Sequence, residues 1–274
     1  MSNWLIVVIA AILQGVTEFL PVSSSGHLAL LSGIFKLNAD VGTAFSIILH
    51  AGSLLAITVY YFKTLLGFFK RDQLHLLKMV IIGSIPAGII GILLKKTGLI
   101  EIFFGDMLSV AMGLLITASI LRLTTKEKLR AKGECELKEI SLRQAITIGL
   151  AQAAAIIPGI SRSGTTIAAG ILSGVKFEAA AAFSFLLAIP AIGGAALLEI
   201  VDLTQKGFEI GDLSITQLVT GFIISSLASF FALKLLVNLI KKRKLAWFSW
   251  YLFFIGSAVM LWQIIKLSKG GSGI

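Results

Sequence analysis

Between residues 14 and 27 the chain reads Gln14-Gly15-Val16-Thr17-Glu18-Phe19-Leu20-Pro21-Val22-Ser23-Ser24-Ser25-Gly26-His27. Glu18 and His27 are the ionisable groups of a segment that is otherwise uncharged and largely apolar from Trp4 to Phe35. An ionised side chain at bilayer depth costs roughly 2.5–3.5 kcal/mol on insertion scales, and such residues usually face a cavity and act there. Function is therefore expected at this stretch.

A second stretch of the same character reads Gln152-Ala153-Ala154-Ala155-Ile156-Ile157-Pro158-Gly159-Ile160-Ser161-Arg162-Ser163-Gly164-Thr165-Thr166. Its single ionisable side chain is Arg162. One constant shift aligns the two stretches without a gap, so that Gln14 falls on Gln152, Ser23 on Ser161, Ser25 on Ser163 and Gly26 on Gly164. The same shift places the downstream Phe45-Ser46 on Phe183-Ser184. This register indicates an internal duplication.

The composition is that of an integral membrane protein. Hydrophobic residues make up 57% of the chain and charged residues 14%, whereas a soluble domain is about 45–50% apolar and about a quarter charged. Six long apolar runs are near the roughly 20 residues that a spanning helix needs. They are Val41–Phe62, Met79–Leu94, Met107–Leu121, Ala179–Leu198, Ile215–Leu239 and Ala246–Ile265.

The distribution of charge predicts the topology. The net charge is +10, and the basic residues collect in three loops at Lys63–Lys78, Arg122–Arg143 and Lys241–Lys244, whereas the loop Glu199–Asp212 is acidic. By the positive-inside rule the basic loops are cytoplasmic and the acidic loop is external, so nucleic acid is not an expected partner. Each half carries three spanning segments, an odd number, so the second half is expected to insert inverted.

The predicted fold is an all-α polytopic membrane protein with an inverted-topology repeat, six transmembrane helices and two re-entrant helix–turn–helix hairpins. Pro21 and Pro158-Gly159 interrupt the polar stretches, and non-helical backbone at membrane depth survives only inside protein or beside a water-filled cavity. Inverted repeats of this kind place a site where the interrupted helices meet. The expected units are a first repeat at 1–123 (hairpin about 4–35), a basic cytoplasmic linker at 124–142, a second repeat at 143–267 (hairpin about 143–175) and a flexible tail at 268–274.

The second stretch has the composition of an anion site. A helix that starts after Pro158-Gly159 offers free N–H groups and a positive dipole end, and Arg162 adds a planar fork that holds two phosphate oxygens at once. Three hydroxyl groups and one glycine backbone are the other predicted substrate contacts of this half. They belong to Ser161, Ser163, Thr166 and Gly164. The alternative is that the hydroxyl groups cap the helix and that Arg162 pairs with a structural carboxylate.

The first stretch has the composition of a catalytic site. A hydroxyl nucleophile with a histidine nearby is the basis of covalent catalysis, and the serines at 23–25 together with His27 supply these groups. Glu18 follows Gln14 by four residues and shares its helix face, so it could orient His27, act on a proton itself or help to hold a divalent cation. Further residues expected at the site are Gln14, Ser23 and Ser25 as substrate contacts, and His50 and Gln152 behind them. Phosphoryl transfer asks a protein mainly for such positioning and charge.

The two stretches resemble the undecaprenyl-diphosphate phosphatase family, which is also known for bacitracin resistance. The first family motif runs from Gln14 through Glu18 and Phe-Leu-Pro-Val-Ser-Ser to His27, and the second, Pro-Gly-x-Ser-Arg-Ser-x-x-Thr, is matched by residues 158–166. The segment Phe183–Pro190 is also similar to the family. The resemblance covers nearly the whole chain.

The resemblance implies a hydrolase of the cell (inner) membrane that converts a C55 polyprenyl diphosphate to the monophosphate carrier used in envelope glycan synthesis. It also implies a homodimer and a site open to the external face. In this family pattern Ser24 is the nucleophile, His27 the acid/base and Glu18 its partner, while Arg162 cradles the diphosphate. Gln14 departs from the pattern, because many members carry Glu there, and this weakens a two-carboxylate site for Mg²⁺ or Ca²⁺ in which Glu18 would be the ligand.

A different class of function fits the same architecture. Secondary transporters also place an anion between inverted repeats with broken helices, so the alternative prediction is a lipid-phosphate flippase or an anion transporter. A transporter needs no nucleophile, and its Ser24 and His27 should tolerate substitution.

Overall fold

The computed structural model describes residues 3–35, 39–98, 106–125, 134–206 and 213–268. Within these ranges the protein is helical and contains no β-strand, apart from an isolated parallel bridge between Cys135 and Val175. The α-helices are α1 Asn3–Phe19, α2 Ser24–Phe35, α3 Ala39–Tyr60, α4 Phe62–Gly67, α5 Leu74–Lys96, α6 Met107–Leu123, α7 Leu142–Ala154, α8 Arg162–Leu172, α9 Phe177–Lys206, α10 Ile215–Lys241 and α11 Ala246–Ser268. Two short 3₁₀ helices lie at Arg71–Gln73 and Leu137–Glu139.

Five of the six predicted apolar runs lie in helices α5, α6, α9, α10 and α11, and the first, Val41–Phe62, extends past the end of α3 at Tyr60 to the start of α4. Among the described residues, four apolar segments are long enough to cross a membrane, at Leu74–Lys96, Phe177–Asp202, Ile215–Lys241 and Ala246–Ser268, while the apolar part of α6 is shorter. Many large apolar side chains on these helices are exposed, and a soluble monomer rarely exposes so much apolar surface. The protein is therefore a helical, membrane-embedded protein.

Both polar stretches fold as a helix, a turn and a second helix. The helix α1 ends at Phe19, shortly before Pro21, and α2 begins at Ser24, where Ser23 has taken up a left-handed backbone conformation with φ 69°. The helix α7 ends at Ala154, shortly before Pro158, and the turn before α8 has Gly159 at φ 84°. These two hairpins, α1–α2 and α7–α8, carry the residues singled out from the sequence.

Each hairpin packs against a helix of the other half of the chain. The helix α1 lies along α10, and α7 lies along α5. Glycines allow this close approach, because a Cβ atom added to Gly15 would come within 2.7 Å of Ser225 O and one added to Gly149 would collide with the backbone of Gly83. Small residues at helix contacts are how apolar helices associate in lipid. The two halves are thereby interleaved.

The helix α6 supports the second turn. Asp106 caps its N-terminus by accepting hydrogen bonds from the N–H groups of Leu108 and Ser109 at 3.0 and 3.1 Å. Burial alone would raise the pKa of Asp106, but these hydrogen bonds bring it below its ordinary value. Further along α6, the Thr117 hydroxyl accepts the Ser161 N–H at 3.0 Å, so the start of α8 is fixed to α6.

Candidate active site

An ion pair joins the two hairpins. Arg162, the first residue of α8, donates from Nη2 to Glu18 Oε1 on α1 at 2.7 Å. Both side chains are largely enclosed, with exposed fractions of 15% for Arg162 and 6% for Glu18. The prediction that the two polar stretches converge is confirmed by this contact.

Glu18 is the centre of the site. Its Oε2 atom accepts hydrogen bonds from Ser24 Oγ at 2.7 Å and from Gln14 Nε2 at 2.9 Å. Gln14 and Glu18 share one face of α1, as their spacing predicted, and the imidazole Nε2 of His50 on α3 lies 3.8 Å from the same oxygen. Donors and a guanidinium around both oxygens stabilise the ionised carboxylate.

Ser24 is placed for activation by Glu18. Its hydroxyl proton points to the carboxylate, which is within the 2.6–3.2 Å that a general base requires. The residue is the first of α2 and is partly exposed, whereas Glu18 behind it is buried. A serine hydroxyl bonded to a carboxylate, with a guanidinium on the other carboxylate oxygen, can attack a phosphorus atom while Arg162 holds its oxygens.

His27 does not contact Glu18, so the expectation that Glu18 orients His27 is wrong in this geometry. The Nδ1 atom of His27 lies 2.8 Å from Ser23 O, and its Nε2 atom lies 2.8 Å from the hydroxyl of Tyr251. The physical reason is the backbone: His27 is one turn after Ser23 on α2, so its ring folds back on the carbonyl of Ser23. The acid/base role of His27 itself stays a prediction.

His50 lies closer to the centre of the site than the sequence indicated. Its Nδ1 atom is held by the carbonyl of Ser46, 2.8 Å away and one turn earlier on α3. Its Nε2 atom therefore faces Glu18. The side chain is 32% exposed, so His50 lies between the buried carboxylate and the surface. It is the histidine that neighbours Glu18.

The serines of the two turns make equivalent hydrogen bonds. In the first turn the Gly26 N–H donates to Ser23 Oγ at 3.2 Å, and Ser23 Oγ lies 3.3 Å from Ser25 Oγ. In the second turn the Gly164 N–H donates to Ser161 Oγ at 3.1 Å, and Ser161 Oγ lies 3.2 Å from Ser163 Oγ. The first serine of each turn, Ser23 or Ser161, thus acts as a helix cap.

Several hydroxyl groups that were predicted to bind substrate are engaged within the protein. Ser163 Oγ donates to Leu20 O at 3.1 Å, which ties the second turn to the first. Thr166 Oγ1 bonds Arg162 O at 2.7 Å and lies 2.6 Å from Ser184 Oγ on α9. Ser161, Ser163 and Thr166 are also buried. Of the three, Ser161 is the helix cap that the alternative describes, and the substrate contacts of all three stay a prediction.

Unpaired donors and acceptors remain beside the ion pair. Arg162 Nη1 and Gln14 Oε1 are buried and have no hydrogen-bond partner among the described residues, and the same holds for both amide atoms of Gln152. A buried guanidinium nitrogen without an acceptor is costly, and an anion would satisfy it. Arg162 therefore offers one nitrogen to Glu18 and a second nitrogen to an anion. Gln152, in contrast, lies on α7 and makes no hydrogen bond to Glu18, Ser24 or Arg162.

The described residues do not provide a dedicated metal site. They contain no group of three or more His, Cys, Asp or Glu side chains that could hold a metal ion. Glu18 is the carboxylate of the site, and its oxygens already accept from Arg162, Ser24 and Gln14. Divalent cations need several free oxygen ligands, which Glu18 does not offer in this arrangement.

Two contacts of the site were not foreseen. Tyr251 on α11 bonds His27, and Ser184 on α9 bonds Thr166. Ser184 belongs to the repeated Phe-Ser pair, so the duplication carried a signal for it. Tyr251 lies in an aromatic spanning segment, and nothing in that segment distinguished it.

Comparisons with known proteins show which family the chain belongs to. The family model described as bacitracin resistance protein BacA matches residues 7–258. The undecaprenyl-diphosphatase of Bacteroides thetaiotaomicron is 38% identical over 270 residues, covering 96% of this chain and 100% of that protein. The undecaprenyl-diphosphatase of Halothermothrix orenii is 39% identical over 261 residues, covering 93% and 96%, and that of Methanosphaera stadtmanae is 36% identical over 287 residues, covering 97% and 100%. This chain belongs to the bacitracin resistance protein BacA family.

Proposed function

We propose that this protein is an undecaprenyl-diphosphatase, a membrane hydrolase that releases the terminal phosphate of undecaprenyl diphosphate. Its relatives carry that name over nearly their whole length. The observation that carries the proposal is the cluster in which Glu18 contacts both the Ser24 hydroxyl and the Arg162 guanidinium. A transporter needs no nucleophile, whereas Ser24 is bonded to a carboxylate that can take its proton. The product would return the lipid carrier to envelope glycan synthesis and give resistance to bacitracin.

The first chemical step follows from these contacts. The free Nη1 of Arg162 and the N-terminus of α8 bind the oxygens of the terminal phosphate. Ser24 Oγ attacks the terminal phosphorus, and the bond from that phosphorus to the bridging oxygen breaks. The Ser24 proton passes to Glu18 and then to the undecaprenyl phosphate that leaves. The serine then carries the phosphoryl group.

The second step regenerates the serine. Water gives one proton to Glu18 and attacks the phosphorus of the phosphoserine, and the bond to Ser24 Oγ breaks. The proton on Glu18 then returns to Ser24, and inorganic phosphate departs. His27 stays the predicted second acid/base group, since its Nε2 can exchange a proton. Gln14, Ser23 and Ser25 remain proposed supports of the substrate.

The proposed membrane arrangement has six spans and two re-entrant hairpins, with repeats at 1–123 and 143–267. The matching hydrogen bonds of the two turns and the reciprocal packing of α1 on α10 and of α7 on α5 support it. Residues 126–133 of the proposed linker 124–142 and residues 269–274 of the proposed tail 268–274 lie outside the described residues. We further propose a homodimer in the cell (inner) membrane with its site open externally. The charge distribution supports basic loops on the cytoplasmic side, and the external opening of the site rests on the family resemblance.

A divalent cation is not needed for either step as proposed. Glu18 is paired with Arg162, and the neutral Gln14 takes the place of a second carboxylate. A requirement for Mg²⁺ or Ca²⁺ stays a prediction that the response of a Gln14 variant to chelator tests.

Phosphate release from undecaprenyl diphosphate by the purified protein in detergent tests the function. Detergent abolishes compartments, so transport cannot imitate hydrolysis. Ser24→Ala should lower the turnover roughly 10⁴-fold or more, as loss of a nucleophile does. Ser119→Ala is the matched control, because this exposed serine only bonds Leu115 O in its own helix.

A second measurement separates the alternatives. Mass spectrometry of rapidly quenched wild-type protein should find a phosphoryl group on Ser24. Near wild-type turnover of Ser24→Ala would show that Ser24 is not the nucleophile. Absence of any phosphate release by the wild-type protein, together with lipid movement in vesicles, would instead favour the flippase.

A further inference from the structure

The ring of His27 is fixed at both of its nitrogen atoms. Nδ1 lies 2.8 Å from Ser23 O and Nε2 lies 2.8 Å from the Tyr251 hydroxyl. A carbonyl oxygen carries no proton, so the Nδ1 atom is the donor and keeps its hydrogen. Nε2 is therefore the nitrogen that can gain or lose a proton, and Tyr251 is the group in contact with it.

Tyr251 reaches His27 from the far end of the chain, because the two residues are 224 positions apart. The rings are stacked, with centroids 5.8 Å apart and planes at 8°. The helix α11 that carries Tyr251 is fixed to α6 by the Ser249 hydroxyl, which donates to Ala118 O at 2.8 Å, and α6 also packs against α2. The position of the tyrosine hydroxyl is thus defined by packed helices.

The hydroxyl group of Tyr251 is unusual for its surroundings. The residue is 42% exposed on α11, and its exposed neighbours Trp250, Phe253 and Phe254 are apolar aromatics, as a lipid-facing surface favours. Phenylalanine would serve the stacking and the lipid contact equally well. The hydroxyl adds a partner that can donate to a neutral Nε2 and accept from a protonated one. A phenol therefore suits a histidine that changes its protonation state.

We propose that Tyr251 is a positioning residue that holds the His27 ring in the tautomer with the proton on Nδ1 and keeps Nε2 hydrogen-bonded in both protonation states. The effect on turnover rests on the proposed phosphatase function. The tautomer itself does not, because it follows from the contacts at the two ring nitrogens. Second partners of this kind are what fix the tautomer and direction of functional imidazoles.

Nitrogen NMR tests the tautomer without any activity. The chain has three histidines, so the full-length protein labelled with ¹⁵N-histidine gives three imidazole ring systems, and His27→Ala assigns one of them. In the wild-type protein the His27 Nδ1 should be protonated and Nε2 should show the shift of a hydrogen-bonded acceptor. Tyr251→Phe should move the Nε2 resonance of His27 and leave those of His75 in place. An unchanged His27 spectrum in Tyr251→Phe overturns the proposal.

Kinetics test the effect on turnover. Loss of one hydrogen bond to His27 predicts a kcat about 2- to 10-fold lower in Tyr251→Phe, with an unchanged KM. Combined with His27→Ala, the tyrosine substitution should cost nothing further, because a residue that acts through His27 has no effect in its absence. Tyr60→Phe, the same substitution on α3, is the matched control.

The outcomes distinguish the two hypotheses. Full additivity of Tyr251→Phe and His27→Ala would mean that Tyr251 acts independently of His27 and would overturn the positioning role. A wild-type protein without phosphatase activity would defeat the proposed function, and the NMR result would still decide whether Tyr251 controls the His27 ring.

Discussion

The turn at residues 23–26 and the turn at residues 161–164 have the same hydrogen bonds but different chemistry. In each turn the hydroxyl of the first serine accepts the N–H of the glycine three residues later. The same hydroxyl lies beside that of the serine two residues later. Between the two serines, however, the first turn carries Ser24 and the second carries Arg162. The hydrogen bonds of the turn are thus kept in both halves, although Ser23 has φ 69° and Ser161 has φ −74°, while the side chain at the centre differs.

The same division applies to the residues around the turns. Glu18 corresponds to Ile156 and His27 corresponds to Thr165 in the second half. One hairpin therefore supplies the nucleophile, the carboxylate and the imidazole, and the other supplies the cation. Neither hairpin holds a complete site, and the contact between Glu18 and Arg162 is what joins the parts. An asymmetric site on a symmetric scaffold lets one phosphate meet a nucleophile on one side and a cation on the other.

After Ser24→Ala, the largest effect is expected at the cation of the second turn. Arg162→Lys keeps the charge but loses the planar fork that contacts Glu18 with one nitrogen and an anion with the other. Phosphate release should fall about 10²–10³-fold, the range for loss of one donor to a developing charge. The matched control is Arg143→Lys in the exposed first turn of α7. If the turnover of Arg162→Lys is within a few-fold of that of the wild type, the second turn does not supply the cation as proposed.

A smaller effect is expected at the glutamines that precede the turns. Gln14→Glu places a second carboxylate beside Glu18, and roughly 1.4 kcal/mol of like-charge repulsion would lower turnover about tenfold. Added Mg²⁺ or Ca²⁺ should restore turnover and EDTA should remove it again, which phosphate release measures directly. Gln152→Glu at the equivalent position has no such partner and should gain no cation response. A cation response in both variants would contradict the division of roles.

The smallest effect is expected at the serines that cap the turns, and it should be equal in the two halves. Ser23→Ala and Ser161→Ala each leave one glycine N–H without its acceptor, which costs about 1 kcal/mol of stability. Thermal unfolding in detergent, followed by circular dichroism, measures both variants against the wild-type protein. A loss in one variant only would mean that the two turns are not structurally equivalent.

Much of this arrangement was accessible from the sequence, for identifiable reasons. Apolar runs of spanning length form helices because lipid leaves the backbone no other way to satisfy its hydrogen bonds. Prolines at 21 and 158 mark the breaks because they cannot donate to the helix ladder. The interrupted stretches that carry Glu18 and Arg162 were expected to meet because inverted repeats place a site where their broken helices converge. These arguments depend on residue type and need no tertiary detail.

The partners of the histidines could not be inferred in this way. His27 follows Ser24 by three residues, which suggested a catalytic pair, but side-chain direction depends on the rotamer, and the ring turns to Ser23 O and Tyr251 instead. His50 reaches Glu18 only because α3 happens to pack beside α1. Contacts between distant helices follow from packing geometry, which local spacing does not encode.

The ion pair between Glu18 and Arg162 has a consequence for biogenesis. The two residues are 144 positions apart, so a ribosome that adds 5–20 residues per second needs about 7–30 s to pass from one to the other. During this interval the nascent first hairpin carries an acidic group without its guanidinium. Polypeptides that terminate before residue 162 never acquire this guanidinium. They therefore present the translocon and its quality-control proteases with the unneutralised carboxylate of Glu18. Maturation of the first hairpin therefore waits for translation of the second.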